Sequence, residues 1–528
     1  MNLQINGTLL VGGNELSGTA DAIHAINPEN NLRLEPAFGG ATDADIRAAC
    51  VLAADAFSHY RNTRPDQRAA LLDCIADEIE AIGTVLVDRA VLETGLPAAR
   101  IESERTRTAS QLRLFATHVR KGNWLGVRMD SAQPARLPLS RSDIRLQYVP
   151  LGPVAVFGAS NFPLAFSVAG GDTVSALAAG APVIVKAHSA HPGTSELVGK
   201  AIQRAVARCN LPHGVFAMLH GSGHHVGTAL TADPDIKAVG FTGSRAGGTA
   251  LMKVAAGRDV PIPVYAEMSS INPVFLLPVA LRQRSAELAA EFVSSMTLGA
   301  GQFCTNPGLV IAVESVELSQ FINVAGNAIE QSSAQVMLTS GIYSAYEERS
   351  RQLSEHIDVT LCASSAHNHA ANRGRARLCV VSADAFMKDP MLSDEAFGAT
   401  SLIVRCHSEE QVLQLAQSLE GQLTATLQME DADILFATKL VKILEQKVGR
   451  LLCNSFPTGV EVSDAMVHGG PFPATSDGRS TSVGTSAIQR FLRPVCYQDM
   501  PEALLPDALQ SSNPLSVPRM IDGRLETT

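Results

Sequence analysis

No Cys-x-x-Cys pair occurs in these 528 residues, and the nine cysteines (50, 74, 209, 304, 362, 379, 406, 453 and 496) are scattered and odd in number. That pattern excludes a zinc ribbon and a disulfide framework. Positive charge is not in excess either. Lys+Arg is 42 against Asp+Glu 52, a net charge of −10, so the chain has no electrostatic footprint for nucleic acid or anionic lipid. The start, MNLQINGTLLVGGNE, lacks a basic region followed by a long apolar run, and no signal peptide is expected. The most apolar stretch, 165–185, carries Asp172, several glycines and Pro182, and reads as a buried helix-to-strand unit rather than a membrane span. A reducing cytoplasm is the expected location. No internal repeat period stands out.

What is present fits a large globular protein. At about 150 residues per domain the length corresponds to three or four domains' worth of chain. Apolar residues at 46% and charged residues at 18% suit a packed core and exclude wholesale disorder. Residues 1–35, rich in Asn and Gly, read as a peripheral β start. From Asp43 to about Arg120 apolar residues recur at three- and four-residue spacing, which predicts helices, with Thr42 and its acidic neighbours as a cap. From 142 the period changes. VAVF (154–157), VIVK (183–186), FAML (216–219) and AVGF (238–241) are short apolar strands separated by helical stretches at about 164–180, 194–208 and 224–232. That alternation predicts an α/β doubly wound sheet. It restarts after Glu267 with strands at 273–277, 309–313, 378–381, 401–405 and 451–455 and a helix at 287–299. The stretch 466–486 reads as loop, and the Pro- and Ser-rich tail beyond 500 as partly mobile.

Several residues carry chemistry. Cys304, in GAGQFCTNPG between a helix and a strand, has small polar neighbours unlike a core strand. A thiolate there is a nucleophile for a carbonyl carbon, although most cysteines are simply small buried apolar residues. Glu267 directly follows a strand, where α/β folds place their sites, and suits a general base; a surface ion pair would use the same residue type. Asn161 follows VAVF and suits an oxyanion donor, or equally a turn. GFTGSRAGG (240–248) follows a strand and opens a helix, which suits a pyrophosphate. HGSGHHVG (220–227) lacks the third glycine and reads as a turn. Its histidines, with His188 and His191, read as solvated loop residues, and no metal ligand is expected.

Together these motifs resemble the aldehyde dehydrogenase superfamily over about residues 20–500. The matching segments, in order, are Asn-Phe-Pro-Leu (161–164), VIVK (183–186), FTGS (241–244), AE-x-S-x-x-NP (266–273), GQFCTNPG (301–308), DEAFG (394–398) and Asn454. VKAHSAHPGTSE (185–196) and the stretch 470–498 resemble the branch of α-ketoglutaric semialdehyde (2,5-dioxopentanoate) dehydrogenases, which also contains an NADP-dependent fatty aldehyde dehydrogenase. Met268-Ser269-Ser270-Ile271 and Lys186-Ala187-His188-Ser189 depart from the wider superfamily in keeping with that branch.

The resemblance implies a Rossmann-type cofactor domain (1–138 and 158–268), an α/β catalytic domain (269–487), a small β oligomerisation element (139–157 and 488–500) and a C-terminal tail (501–528). It implies that Cys304 attacks the aldehyde, that Asn161 and the Cys304 N–H hold the oxyanion, and that Glu267 activates water to hydrolyse a thioester. Lys186 would meet the cofactor ribose or a 2′-phosphate; Thr242, Gly243 and Ser244 the pyrophosphate; Glu395 the nicotinamide ribose; and Phe397 the ring. Ser189, where NAD-preferring relatives carry an acid, favours NADP with NAD also usable, and His188 beside it would add positive charge. A semialdehyde bearing a carboxylate needs a cationic partner, for which Arg107 is the candidate, with a solvated helix arginine as its alternative; Phe162, Phe166 and Phe456 would form apolar walls. A fatty aldehyde would suit those walls equally. A catalytically silent family member is the alternative from another class. A homodimer or homotetramer is expected.

Overall fold

The computed structural model describes residues 3–526; Met1, Asn2, Thr527 and Thr528, which the first and last predicted segments include, lie outside the described residues. The four helices expected between 43 and 120 are Asp43–Tyr60, Pro65–Ile82, Thr84–Thr94 and Ala98–Lys121. Thr42 caps the first of them in a capping box. Its Oγ1 accepts the Asp45 N–H at 3.2 Å, and the Asp45 carboxylate accepts the Thr42 N–H at 2.9 Å.

The first large sheet has seven strands in the order Val264–Glu267, Ala238–Thr242, Val154–Phe157, Val183–Lys186, Phe216–Leu219, Leu9–Val11 and Asn14–Leu16. The first five are parallel and are covered by helices, so they read as continuous apolar runs; the last two join antiparallel at the edge. After Phe216–Leu219 the chain crosses back to lay Ala238–Thr242 beside Val154–Phe157. That reversal opens a crevice at the carboxyl ends of the strands, where open α/β sheets bind their ligands.

The second seven-stranded sheet runs Thr360–Ser364, Arg377–Ser382, Thr400–Cys406, Leu309–Val313, Val274–Leu276, Gln422–Gln428 and Val448–Cys453, all parallel except the first. A third, small sheet pairs Leu492–Gln498 with Ile144–Pro150 and then Arg128–Asp130.

Several expectations fail. Val154–Phe157, placed by the resemblance in the oligomerisation element (139–157), is a central strand of the first sheet. His191 and His220, expected as solvated, are fully buried, because their loops are covered by packed elements. The helix read at 164–180 covers only Gly171–Ala179. Pro163 stands in the preceding segment, and the Leu164 and Ala165 N–H groups are given to the Glu104 carboxylate instead of a helical ladder. The tail is not loose either. Arg519–Ile521 pairs parallel with Arg128–Asp130, and Arg524–Glu526 closes the sheet edge. Asp522 anchors it by accepting the Ser131 N–H and Oγ–H at 3.0 and 2.7 Å. No helix among the described residues is long and apolar enough to cross a membrane.

Candidate active site

The ends of three strands of the first sheet, Val154–Phe157, Ala238–Thr242 and Val264–Glu267, border a cavity of about 580 Å³ lined by Asn161, Thr242, Gly243, Ser244, Glu267, Cys304, Glu395 and Phe397, among others. Cys304 comes from the loop before strand Leu309–Val313. Asn272, fully buried, holds that loop by donating from Nδ2 to the Cys304 carbonyl at 2.8 Å and the Asn306 carbonyl at 2.9 Å. Asn161 donates from Nδ2 to the Gln302 carbonyl at 3.0 Å, which ties the loop after Val154–Phe157 to the Cys304 loop.

Glu267 ends its strand in a buried position. Burial by itself would raise its carboxyl, but His468 and Ser482 outweigh burial and hold it below the usual carboxylate range. His468 Nε2 lies 2.8 Å from Oε1, and Ser482 Oγ donates to Oε2 at 2.7 Å. The same Nε2 lies 3.4 Å from Cys304 Sγ. Burial pushes the Cys304 thiol well above its ordinary range, and the carboxylates of Glu267 and Glu395 push it further. The thiol therefore holds its proton until a neighbour takes it.

His468 was not legible in the sequence. It stands in the stretch read as loop, 201 residues from Glu267 in the chain, and its side chain is fully buried. No spacing rule joins the two. Its Nδ1 makes no protein hydrogen bond and borders a polar chamber of about 20 Å³ that Thr475, Asp477 and Ser480 also line.

The cofactor candidates separate into two groups. Thr242, Gly243, Ser244, Glu395 and Phe397 border the cavity. Ser244 caps helix Arg245–Ala256, accepting the Gly247 N–H on Oγ at 3.2 Å. The Gly243 N–H is already given to the Glu267 carbonyl, so an anion there would meet the helix start rather than that amide. Burial pushes Glu395 up to about 7, against hydrogen bonds from Ser269 and the Ser270 N–H. Lys186 and Ser189 lie at and just beyond the end of the neighbouring strand. Lys186 is 7% exposed, pairs with no side chain among the described residues, and is brought down to about 8 by burial. Ser189 is exposed. The positive charge expected of His188 is not supported: its Nδ1 accepts the Ala190 N–H at 3.1 Å, and burial, His191 and Lys186 all oppose protonation.

On helix Ala98–Lys121, Arg100, Glu104 and Arg107 share one face towards the Asn161 loop. Glu104 accepts the Leu164 and Ala165 N–H groups at 2.9 Å each, and Arg100 stacks on Phe162 and Phe303 with its guanidinium 4.5 and 4.8 Å from the ring centres. Arg107 lies 5.2 Å from the Phe166 ring and 5.9 Å from Phe162. Its Nη1 is shielded from solvent with no hydrogen-bond partner, and its Nη2 makes one long bond to the Val460 carbonyl at 3.4 Å. Phe162 and Phe166 meet edge to face, and Phe303, not foreseen, joins them. Phe456 makes no ring contact with this wall among the described residues; it follows strand Val448–Cys453 and packs against Phe292 at the edge of the second sheet's core.

The aldehyde dehydrogenase family model matches residues 16–492. The chain belongs to the aldehyde dehydrogenase family. A relative in Azospirillum brasilense named alpha-ketoglutaric semialdehyde dehydrogenase 2 is 55% identical over 99% of this chain and 100% of its own. One in Acinetobacter baylyi, named alpha-ketoglutaric semialdehyde dehydrogenase, is 44% identical over 98% and 99%. Among solved structures, betaine aldehyde dehydrogenase from Staphylococcus aureus superposes with a TM-score of 0.80 at 17% identity, over 94% of this chain and 98% of that one. Aldehyde dehydrogenase C from Pseudomonas syringae does so with 0.80 at 18% identity, over 94% and 98%. At that identity the likeness shows the aldehyde dehydrogenase fold.

Proposed function

We propose that this aldehyde dehydrogenase oxidises α-ketoglutaric semialdehyde to 2-oxoglutarate, with a nicotinamide dinucleotide as hydride acceptor and water as the source of the added oxygen. The names of the two relatives support the substrate. The observation that carries the reading on this chain is Arg107. A half-buried guanidinium with a solvent-shielded, unpaired Nη1 is costly unless an anion completes it. A substrate carboxylate at Arg107 would leave the aldehyde end towards the thiol.

The residues suit the cofactor. Lys186 is a buried ammonium that pairs with no side chain among the described residues, and a Cβ on Gly243 would sit 2.7 Å from the Phe241 ring and crowd the cradle before helix Arg245–Ala256. Lys186 would hold the adenosine ribose, the helix start the pyrophosphate, and Glu395 the second ribose. When bound, the nicotinamide takes up the hydride. We read Ser189 as favouring NADP, since it presents no carboxylate to repel a 2′-phosphate, with NAD also used. Solved neighbours in complex with NAD+ support the general cofactor class.

In the reaction, Cys304 Sγ attacks the aldehyde carbon while its proton passes towards His468 and Glu267. The Asn161 amide and the Cys304 N–H stabilise the oxyanion, where preorganised donors count most. After oxidation, Glu267 removes a proton from water, which opens the thioester and returns the thiol. His468 and Ser482 keep Glu267 ionised for that step. The exposed edge strand Leu492–Gln498 suits pairing with another subunit, and we propose a homo-oligomer in the reducing cytoplasm.

Steady-state rates with α-ketoglutaric semialdehyde, hexanal and dodecanal, each with NAD and NADP, test the reading. A lead of the semialdehyde in kcat/KM above about tenfold, roughly 1.4 kcal/mol, is expected, and Arg107→Ala should remove it without slowing hexanal. A lead by the long aldehydes would overturn the Arg107 assignment and favour a fatty aldehyde dehydrogenase.

A further inference from the structure

We propose that Cys304, Glu267 and His468 form a three-ligand site for Zn²⁺, which binds reversibly and closes the enzyme. No motif spacing marks such a site, because the ligands come from three separate loops and strand ends. In the folded chain, however, Sγ, a carboxylate oxygen and an imidazole nitrogen all lie within 4.8 Å of one another. A tetrahedral zinc with bonds of about 2.0–2.3 Å to S, N and O needs its ligand atoms roughly 3.3–3.8 Å apart. The Nε2–Sγ separation of 3.4 Å already meets this, and the 2.8 Å Nε2–Oε1 contact needs only to open by the width of a lost hydrogen bond.

The surroundings complete the site. Three protein ligands leave a fourth position facing the cavity of about 580 Å³, through which the ion would enter and where a water would bind. Ser482 Oγ holds the far oxygen of Glu267 at 2.7 Å, the outer support that metal-ligating carboxylates require. Coordination through Nε2 places the imidazole proton on Nδ1, which has no protein partner and borders the small polar chamber beside Asp477. Binding displaces one proton, that of the Cys304 thiol, because zinc ligates the thiolate. The metal would then occupy the nucleophile and the base at once. The inhibition rests on the function proposed above, whereas the binding does not.

The test is a titration of the full-length protein with Zn²⁺ against a chromophoric zinc indicator, with iodoacetamide labelling of the Cys304 peptide read by mass spectrometry. One Zn²⁺ per chain is expected, with Cys304 protected from alkylation, activity lost in parallel and both restored by EDTA. His468→Gln should weaken binding by at least about tenfold, the lower bound seen even for residues that only support a ligand. Circular dichroism of that variant checks that it is folded. Absence of stoichiometric binding would overturn the proposal. So would equal binding by His468→Gln, which would move the ion to surface groups such as the adjacent His367 and His369 rings. Stoichiometric binding by a protein with no aldehyde oxidation would instead overturn the function and leave the site standing.

Discussion

Glu267 is a buried carboxylate that stays ionised because two neighbours outweigh its desolvation, and His468 is the larger of them. Replacing His468 by Asn removes the imidazole that holds the Glu267 carboxyl down, and its 2.8 Å contact with Oε1. Burial then prevails and the Glu267 pKa rises. Because Glu267, as the proposed base, works only when deprotonated, the acid limb of the kcat/KM–pH profile should move to higher pH, and kcat/KM at neutral pH should fall by about a hundredfold or more, the usual size of a general acid–base contribution. A profile superimposable on that of the unaltered enzyme would show that His468 only fills space. At this scale Cys304, Glu267 and Asn161 were legible from their motifs, since each sits beside a strand end with an unusual local composition. His468, Ser482 and Phe303 were not, because a lone side chain in a loop reveals nothing of its neighbours before the chain folds.

At the scale of elements, the loops matter more than the strands they join. Gly301 has φ of +70°, and a Cβ there would lie 2.3 Å from the Gly398 carbonyl carbon and 2.4 Å from the Ala399 nitrogen. It is where the loop of Cys304 touches the loop of Glu395 and Phe397. Gly301→Ala must therefore push apart Cys304, the proposed nucleophile, and the residues proposed to hold the nicotinamide ribose. The expected result is a loss of kcat greater than about tenfold with a measurable fall in thermal stability; an unchanged kcat would show that the two loops move independently. Strand and helix positions followed closely from periodicity. The segment 161–170 did not, because a helix-like apolar composition is overridden when Glu104, on another helix, takes its backbone N–H groups. The tail was misread for a similar reason. Its strands are three residues long and exist only as additions to the edge strand Arg128–Asp130.

For the whole molecule, one buried ion pair links helix Gly171–Ala179, which covers the first sheet, to the segment that leads into the small sheet. Arg490 Nη2 lies 2.7 Å from Asp172 Oδ1, with side-chain exposures of 3% and 10%. Burial pushes the Asp172 carboxyl up and Arg490 opposes this. Arg490→Met leaves the carboxylate without its partner and should cost about 3–5 kcal/mol of stability, measured from the denaturant midpoint. Asp172→Ala in the same chain should recover part of that loss; no recovery would mean that Arg490 acts through its packing on Tyr265 and Phe491 instead.

By itself the sequence determined the family, the α/β class, the order of the strands along the chain and three residues, Cys304, Glu267 and Asn161, that the fold brings to one cavity. These depend on local patterns: apolar runs four or five residues long, glycines before helices, and motifs a few residues wide. Only the tertiary structure decided what surrounds those residues. It placed His468 between Cys304 and Glu267, left the Nη1 of Arg107 without a hydrogen-bond partner, packed Phe456 against Phe292 and tied down the tail. Each of these depends on distance between segments far apart in the chain, and electrostatic and packing energies act through that distance, not through separation in sequence.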